Sequence, residues 1–231
     1  VRPVVFVPIY FGYERLVEGR TYIGELSGRP KEKESILGML RTLPELRSRF
    51  GKVYVSFGEP LPLEDLLERH VPGWDRQQPV TEEKPAWLSP LCVDLAHQIM
   101  TRINAAACVT PVNLMGTVLL ATPRQRMGEA DLARQLELYA SLMRQAPYSP
   151  RVWVTPLDGQ SMIRHCDSLR MLYRQSHPLG DIVGMSESTA VLSSYYRNNV
   201  LHLLLMPSLL ASAFLNNASV RRVDLLRLAG R

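Results

Sequence analysis

The residues best spaced for acid–base chemistry are His70 and Asp75, in His70-Val71-Pro72-Gly73-Trp74-Asp75. A carboxylate that holds a histidine fixes its tautomer and stabilises the imidazolium, which makes a sound general base. Here the intervening residues read as a loop after a short helix, and a single two-residue spacing is easily met by chance. We read His70 as a surface histidine in a linker. A second group, Lys31-Glu32-Lys33-Glu34-Ser35, carries different chemistry. Lys31 and Lys33 could meet a phosphate as point charges, and an opening helical turn could add backbone N–H groups. The plain alternative is a charged helix start with Glu32 and Glu34 favoured by the dipole, and composition alone favours it by a little.

Other chemistry-bearing residues are scattered. His97 and His202 sit on helical patterns among apolar neighbours, where a satisfied core or interface histidine is the common case, and His165 and His177 lie near turns. Cys92, Cys108 and Cys166 are odd in number, far apart and in no ligand spacing. That argues for a reducing compartment, against a disulfide framework or zinc site, and for three small buried hydrophobes. No glycine-rich phosphate loop follows a strand, no G-x-S-x-G elbow occurs, and no metal or cofactor is expected.

The elements that must position these groups follow from hydrophobic pattern. Residues 3–11 form a nearly continuous apolar run, which predicts a strand buried on both faces in a mostly parallel sheet. Ile36, Leu37, Met39, Leu40, Leu43 and Leu46 fall at helical spacing, and Val53, Val55 and Phe57 alternate with Tyr54 and Ser56. Strand, helix and strand in that order suggest a βαβ unit. A short amphipathic helix runs from Leu63 to about His70. Residues 71–87 are a linker by their Pro, Gly and Gln content. Beyond it the pattern is helical: from Pro90, 113–121, 129–144, 161–174, and a long last helix over 191–215 bent near Pro207, with a short strand at 151–155. The expected architecture is thus α/β over 1–70, a linker over 71–87 and a mainly helical domain over 88–231.

A chain of 231 residues with 46% hydrophobic and 21% charged content can bury a real core. The formal charge of +5 is mild and spread out, so it favours an anionic partner without demanding nucleic acid. The longest apolar stretch, Val200 to Leu215, holds about 16 residues against the ~20 a spanning helix needs. A buried or interfacial helix fits it better.

Several long stretches in order resemble the bacterial membrane-associated glycerol-3-phosphate acyltransferases. They are VVFVPIYFGYERLVEG (4–19), YIGELSGRPKEKES (22–35), VYVSFGEPLPL (53–63), PAWLSPL (85–91), MTRIN (100–104), LMRQAPYS (142–149) and SYYRNNVLHLLLMPSLLA (194–211). The resemblance implies a fourth acyltransferase block at Val4–Tyr10 with Pro8 as its proline. The HxxxxD base and the arginine-bearing block are absent, and His70 and Asp75 lie too late to be that pair. It therefore implies the C-terminal part of a longer enzyme, with the N-terminal half missing. That enzyme would move a fatty acyl group from acyl-CoA or acyl carrier protein to the first hydroxyl of glycerol 3-phosphate, peripheral or monotopic on the cytoplasmic face of the inner membrane. No catalytic residue is expected in this chain. Pro8, Tyr10 and Tyr13 would form a substrate-pocket wall, and Lys31, Lys33, Glu34 and Ser35 a substrate-side contact or domain lock. The reading expects an inactive isolated chain with an exposed apolar face on the 4–10 strand. The alternatives are a non-catalytic interaction or membrane-surface module, and a different enzyme built on His70 and Asp75.

Overall fold

The computed structural model describes residues 3–16, 51–74, 84–217 and 219–229. The expected helix over 36–46 lies outside them. In chain order the elements are β1 (Val5–Phe6), β2 (Ile9–Tyr13), β3 (Val53–Phe57), β4 (Leu61–Pro62), α1 (Leu63–His70), α2 (Leu88–Ala105), β5 (Cys108–Val109), α3 (Pro111–Leu120), β6 (Arg126–Gly128), α4 (Glu129–Gln145), β7 (Trp153–Val154), α5 (Gly159–Ser168), β8 (Tyr173–Gln175), β9 (Ile182–Gly184), α6 (Glu187–Asn198), α7 (Leu205–Ala213) and α8 (Arg222–Ala229). An α/β region thus precedes a predominantly helical stretch. The contacts divide the chain into two compact units that interleave in sequence. One takes the described residues of Val1–Gly12, Tyr54–Cys108 and Ser149–Trp153; the other takes those of Tyr13–Val53, Val109–Tyr148 and Val154–Arg231.

In the first unit the apolar run of residues 3–11 is not one strand. Val7 and Pro8 divide it, β1 pairing with β4 and β2 with β3. The β1–β4 pair is antiparallel, with Val5 opposite Pro62 and Phe6 opposite Leu61. The β2–β3 pair is antiparallel too: the Gly58 N–H donates to Pro8 O and the Glu14 N–H to Lys52 O, so partners run in opposite directions. The βαβ expectation is corrected here, because a continuous apolar run does not report strand direction. Beneath the strands, α1 packs on α2, burying Leu66 and Leu91.

The second unit is built around α3, whose residues Pro111 to Leu119 are all buried. Its start is fixed by a reciprocal cap. The Thr110 N–H donates to Asn113 Oδ1 (2.8 Å) and the Asn113 N–H to Thr110 Oγ1 (3.4 Å), while Pro111 fills the first helical position. The Asn113 amide then donates to Tyr196 O at 2.8 Å, tying α3 to α6. Gly116 allows that approach, since a Cβ there would lie 2.9 Å from Ser193 O. On α4, Leu132, Leu136 and Met143 face the same core.

The strands β6, β9 and β8 form a three-stranded antiparallel sheet. Three-residue strands carry too little alternation to be read from sequence. The helix expected over 161–174 stops at Ser168, where Arg170 takes a φ of 56° and the chain turns into β8. The long last helix breaks at Val200, and Pro207 falls in the first turn of α7, where its missing N–H leaves no gap.

Candidate functional site

The two hydrogen bonds that bracket β2 and β3 set their register and place Phe11 opposite Val55. Strand alternation then sorts the residues. Pro8, Tyr10 and Gly12 turn to the packed face, while Phe11 and Tyr13 turn outward. On β3, Val53, Val55 and Phe57 are exposed, Phe57 to 62%. The expected wall residues therefore divide: Pro8 and Tyr10 lie on the packed side and Tyr13 on the open one. The expected exposed apolar face is present, with Val4, Val5, Val7 and Phe11 all about half-exposed. Lys31, Lys33, Glu34 and Ser35 lie outside the described residues.

The packed side is held by specific contacts. The Tyr10 hydroxyl donates to Cys108 O at 3.4 Å, and Ser56 Oγ lies 3.0 Å from Cys108 Sγ. Burial pushes the Cys108 thiol up, against a weaker downward pull from Ser56, so it stays a thiol rather than a nucleophilic thiolate. Tyr54 stacks near Trp153 at 5.1 Å between ring centroids. Gly58 rests against α2, where an added Cβ would meet Arg102 O at 2.9 Å. Arg102 itself donates to the carbonyls of Glu59 and Pro60, holding the turn into β4. Together these contacts make β2–β3 a plate with one packed and one open surface.

Glu14 was missed in the sequence. Its side chain is fully buried, accepts the Lys52 N–H at 2.8 Å, and lies 2.9 Å from His165 Nε2. The imidazole is not aligned for a hydrogen bond, so the pair is a close contact of a carboxylate with a ring edge. Gly51 makes room: it takes a φ of +73°, and a Cβ would fall 2.6 Å from Glu14 Oε2. A signal existed, since Tyr10, Gly12 and Glu14 share one parity along the chain as it leaves β2.

His70 is half-buried, and its Nε2 lies 3.0 Å from Asp94 Oδ2 on α2. The Gln98 amide donates to the other Asp94 oxygen at 3.0 Å. Gln98 first, then His70, holds the Asp94 carboxyl below the usual carboxylate range. His70 is thus tied to a carboxylate twenty-four residues away, while Asp75 lies outside the described residues. The pair joins helix α1 to helix α2. His97 turns outward instead of into a core, and lines a shallow cleft of about 340 Å³ with Gln98, Thr101 and Arg102. Cys92 is exposed, unlike Cys108 and Cys166. Among the described residues no group of three His, Cys, Asp or Glu side chains could hold a metal ion, and no helix is long and apolar enough to cross a membrane.

Known proteins extend these observations. A family model described as the glycerol-3-phosphate acyltransferase C-terminal region matches residues 22–231. The chain is 51% identical over 228 residues to a glycerol-3-phosphate acyltransferase of Xanthomonas axonopodis pv. citri, covering 98% of this chain and 26% of that protein. It is 46% identical over 228 residues to the protein of that name from Pseudomonas aeruginosa strain LESB58, covering 99% and 27%. It is 48% identical to the one from Xylella fastidiosa strain 9a5c, covering 98% and 26%. The chain spans about a quarter of the length of the curated relatives it matches.

Proposed function

The chain belongs to the glycerol-3-phosphate acyltransferase C-terminal region family, and from that premise we propose that it works as the C-terminal part of an enzyme that acylates glycerol 3-phosphate. The glycerol hydroxyl oxygen attacks the carbonyl carbon of an acyl thioester, the C–S bond breaks, and the thiol of CoA or acyl carrier protein leaves. The hydroxyl proton goes to a base supplied by another part of the polypeptide and from there to the departing sulfur. This chain positions rather than transfers. Pro8 and Tyr10 hold the β2–β3 plate from its packed side. Tyr13 faces the substrate side, and Lys31, Lys33, Glu34 and Ser35 contact the substrate or lock the domain. The enzyme sits peripherally on the cytoplasmic face of the inner membrane.

The match of 228 residues at 51% identity carries this reading. The open apolar face of β2–β3 supports it, since contiguous exposed apolar surface marks a place where something packs. The test compares a polypeptide of the relatives' length ending in this chain with the chain alone, using labelled acyl-CoA and glycerol 3-phosphate. Turnover by the longer protein and none by the chain is expected. Turnover by the chain alone would place the base inside it and overturn the reading, as would an inactive long polypeptide that is folded.

A further inference from the structure

The stretch after α6 changes allegiance within a few residues. Leu203 and Leu204 point into the core at 5% and 4% exposure. From Leu205 onward the side chains come out. Among the nine residues of α7 none is buried and none is charged. Leu205 is 69% exposed and Leu215 79%, with Met206, Leu210 and Phe214 between them also exposed. A helix that is apolar, uncharged and without a buried residue is left largely uncovered by the described residues of its own unit.

The neighbouring helix says what kind of partner fits. α7 packs against α8, and α8 shows Val223 and Leu226 beside Arg222 and Arg227 on its exposed side. The sole acid on α8, Asp224, is taken by Arg221 at 2.8 Å, with Arg227 at 4.0 Å. The result is an apolar strip edged by cations, with the charge on long aliphatic stems that can lie along apolar surface while the head stays polar. Neither helix is long enough to span a bilayer. Apolar residues at the acyl boundary with arginines at headgroup level is the pattern of a helix lying in an anionic lipid surface. α7 offers side-chain hydroxyls at Ser208 and Ser212 alone, one of which is spent on Leu209 O, so the strip presents apolar surface edged by arginines with few directional polar contacts.

We propose that α7 and α8 form the lipid-contacting surface of this chain, and that its preferred ligand is an anionic phospholipid bilayer. The proposal deepens the membrane part of the function proposed above and does not involve acyl transfer. The test is sedimentation of the 231-residue chain with phosphatidylcholine vesicles, with and without phosphatidylglycerol, and needs neither substrate. Binding to the anionic vesicles is expected, weakening when salt shortens the screening length from about 10 to about 3 Å. The double variant L205E/L215E should bind at least about tenfold more weakly at unchanged far-ultraviolet circular dichroism, since two charges replace side chains meant for the acyl boundary. Arg222→Ala and Arg227→Ala should each weaken binding by about fivefold. Wild-type strength in L205E/L215E, loss of binding instead in Phe57→Glu, or a dimer that L205E/L215E turns into monomer would each overturn the proposal. Failure here would leave the acyl-transfer reading standing, because that is measured on soluble substrates.

Discussion

Helix α3 and the strand pair β2–β3 are both largely apolar, yet the molecule treats them in opposite ways. Every residue from Pro111 to Leu119 is buried, and the orphan donors at the helix start are met by Thr110 and Asn113. The strand pair has one face packed by Tyr10, Ser56 and Gly58 and another that leaves Phe11 and Val55 about half-exposed and Phe57 more so. A helix meets its own backbone hydrogen bonds, so its neighbours need supply little beyond side-chain cover. A strand pair with apolar residues on both faces needs two covering layers, and the described residues supply one. The helical core is thus answered within this chain, whereas the plate is built to a specification that its own unit does not exhaust.

The sharpest test of that contrast removes a polar group from the closed region. Asn113→Ala deletes the reciprocal cap and leaves Tyr196 O without its amide donor in a buried site. Loss of the cap and of a buried partner should destabilise the chain by about 3 kcal/mol, read as a lower urea midpoint at unchanged slope. The matched change on the plate, Ser56→Ala, removes a weak contact with a thiol and should stay within about 1 kcal/mol. Equal effects would mean that the two regions are equally self-contained.

Gly51→Ala probes the junction at Glu14. The left-handed backbone and the 2.6 Å approach to a buried carboxylate both oppose a side chain. A loss of roughly 2 kcal/mol in thermal or urea unfolding is expected. A neutral result would mean that Glu14 can move away freely, and that the strand ends are held less firmly than the hydrogen bonds to Lys52 imply.

These cases also show what the sequence carried. The helices α1, α2, α4 and the strand β7 were legible because their apolar spacing or β-branched content is strong. The family resemblance lay in long ordered stretches that one strand or helix pattern could not have supplied. Strand direction was not legible: residues 3–11 read as a parallel core strand, yet the pairing is antiparallel and changes partner at Pro8. The sheet of β6, β8 and β9 was hidden because its strands are three residues long, and β8 is exposed throughout. The opposite facing of Tyr10 and Tyr13 follows from the strand register, which the apolar run does not report. Glu14 and the His70–Asp94 pair depend on contacts between distant segments, which periodicity does not encode.

The pH dependence is a smaller effect, and its sign is fixed. Asp94 is held below the usual carboxylate range by Gln98 and then His70, and Asp158 by the backbone and hydroxyl of Ser161. Groups lowered in the folded state contribute stability above the ordinary carboxylate value of about 3.9, and lose it as pH falls through their folded values. Unfolding midpoints measured from neutral pH downward should therefore drop on the acid side of about pH 4. The D94N/D158N variant should start slightly lower and show a shallower acid fall. An unchanged acid limb would show that neither aspartate is better held in the folded chain. His70→Ala in an active polypeptide of the relatives' length should change kcat by less than about twofold, since the imidazole is engaged with Asp94 in joining α1 to α2. A collapse of kcat would make it a catalytic base.

The smallest effect expected in this chain is also the one that separates the two regions most clearly. Phe57 is 62% exposed on the open face of the plate. Phe57→Lys removes no packed neighbour, so the isolated chain should keep its unfolding midpoint to within about 0.5 kcal/mol and become more soluble. In a polypeptide of the relatives' length, the same substitution would set a charge against whatever covers that face, and burying an unpaired charge destabilises by several kcal/mol. The contrast between the two contexts is the measurement, taken by unfolding both with and without the substitution. A large loss in the isolated chain would mean that the face is already covered by its own residues. A small loss in both would mean that the plate stays open in the longer protein as well, and its apolar surface would then need a ligand rather than a polypeptide to explain it.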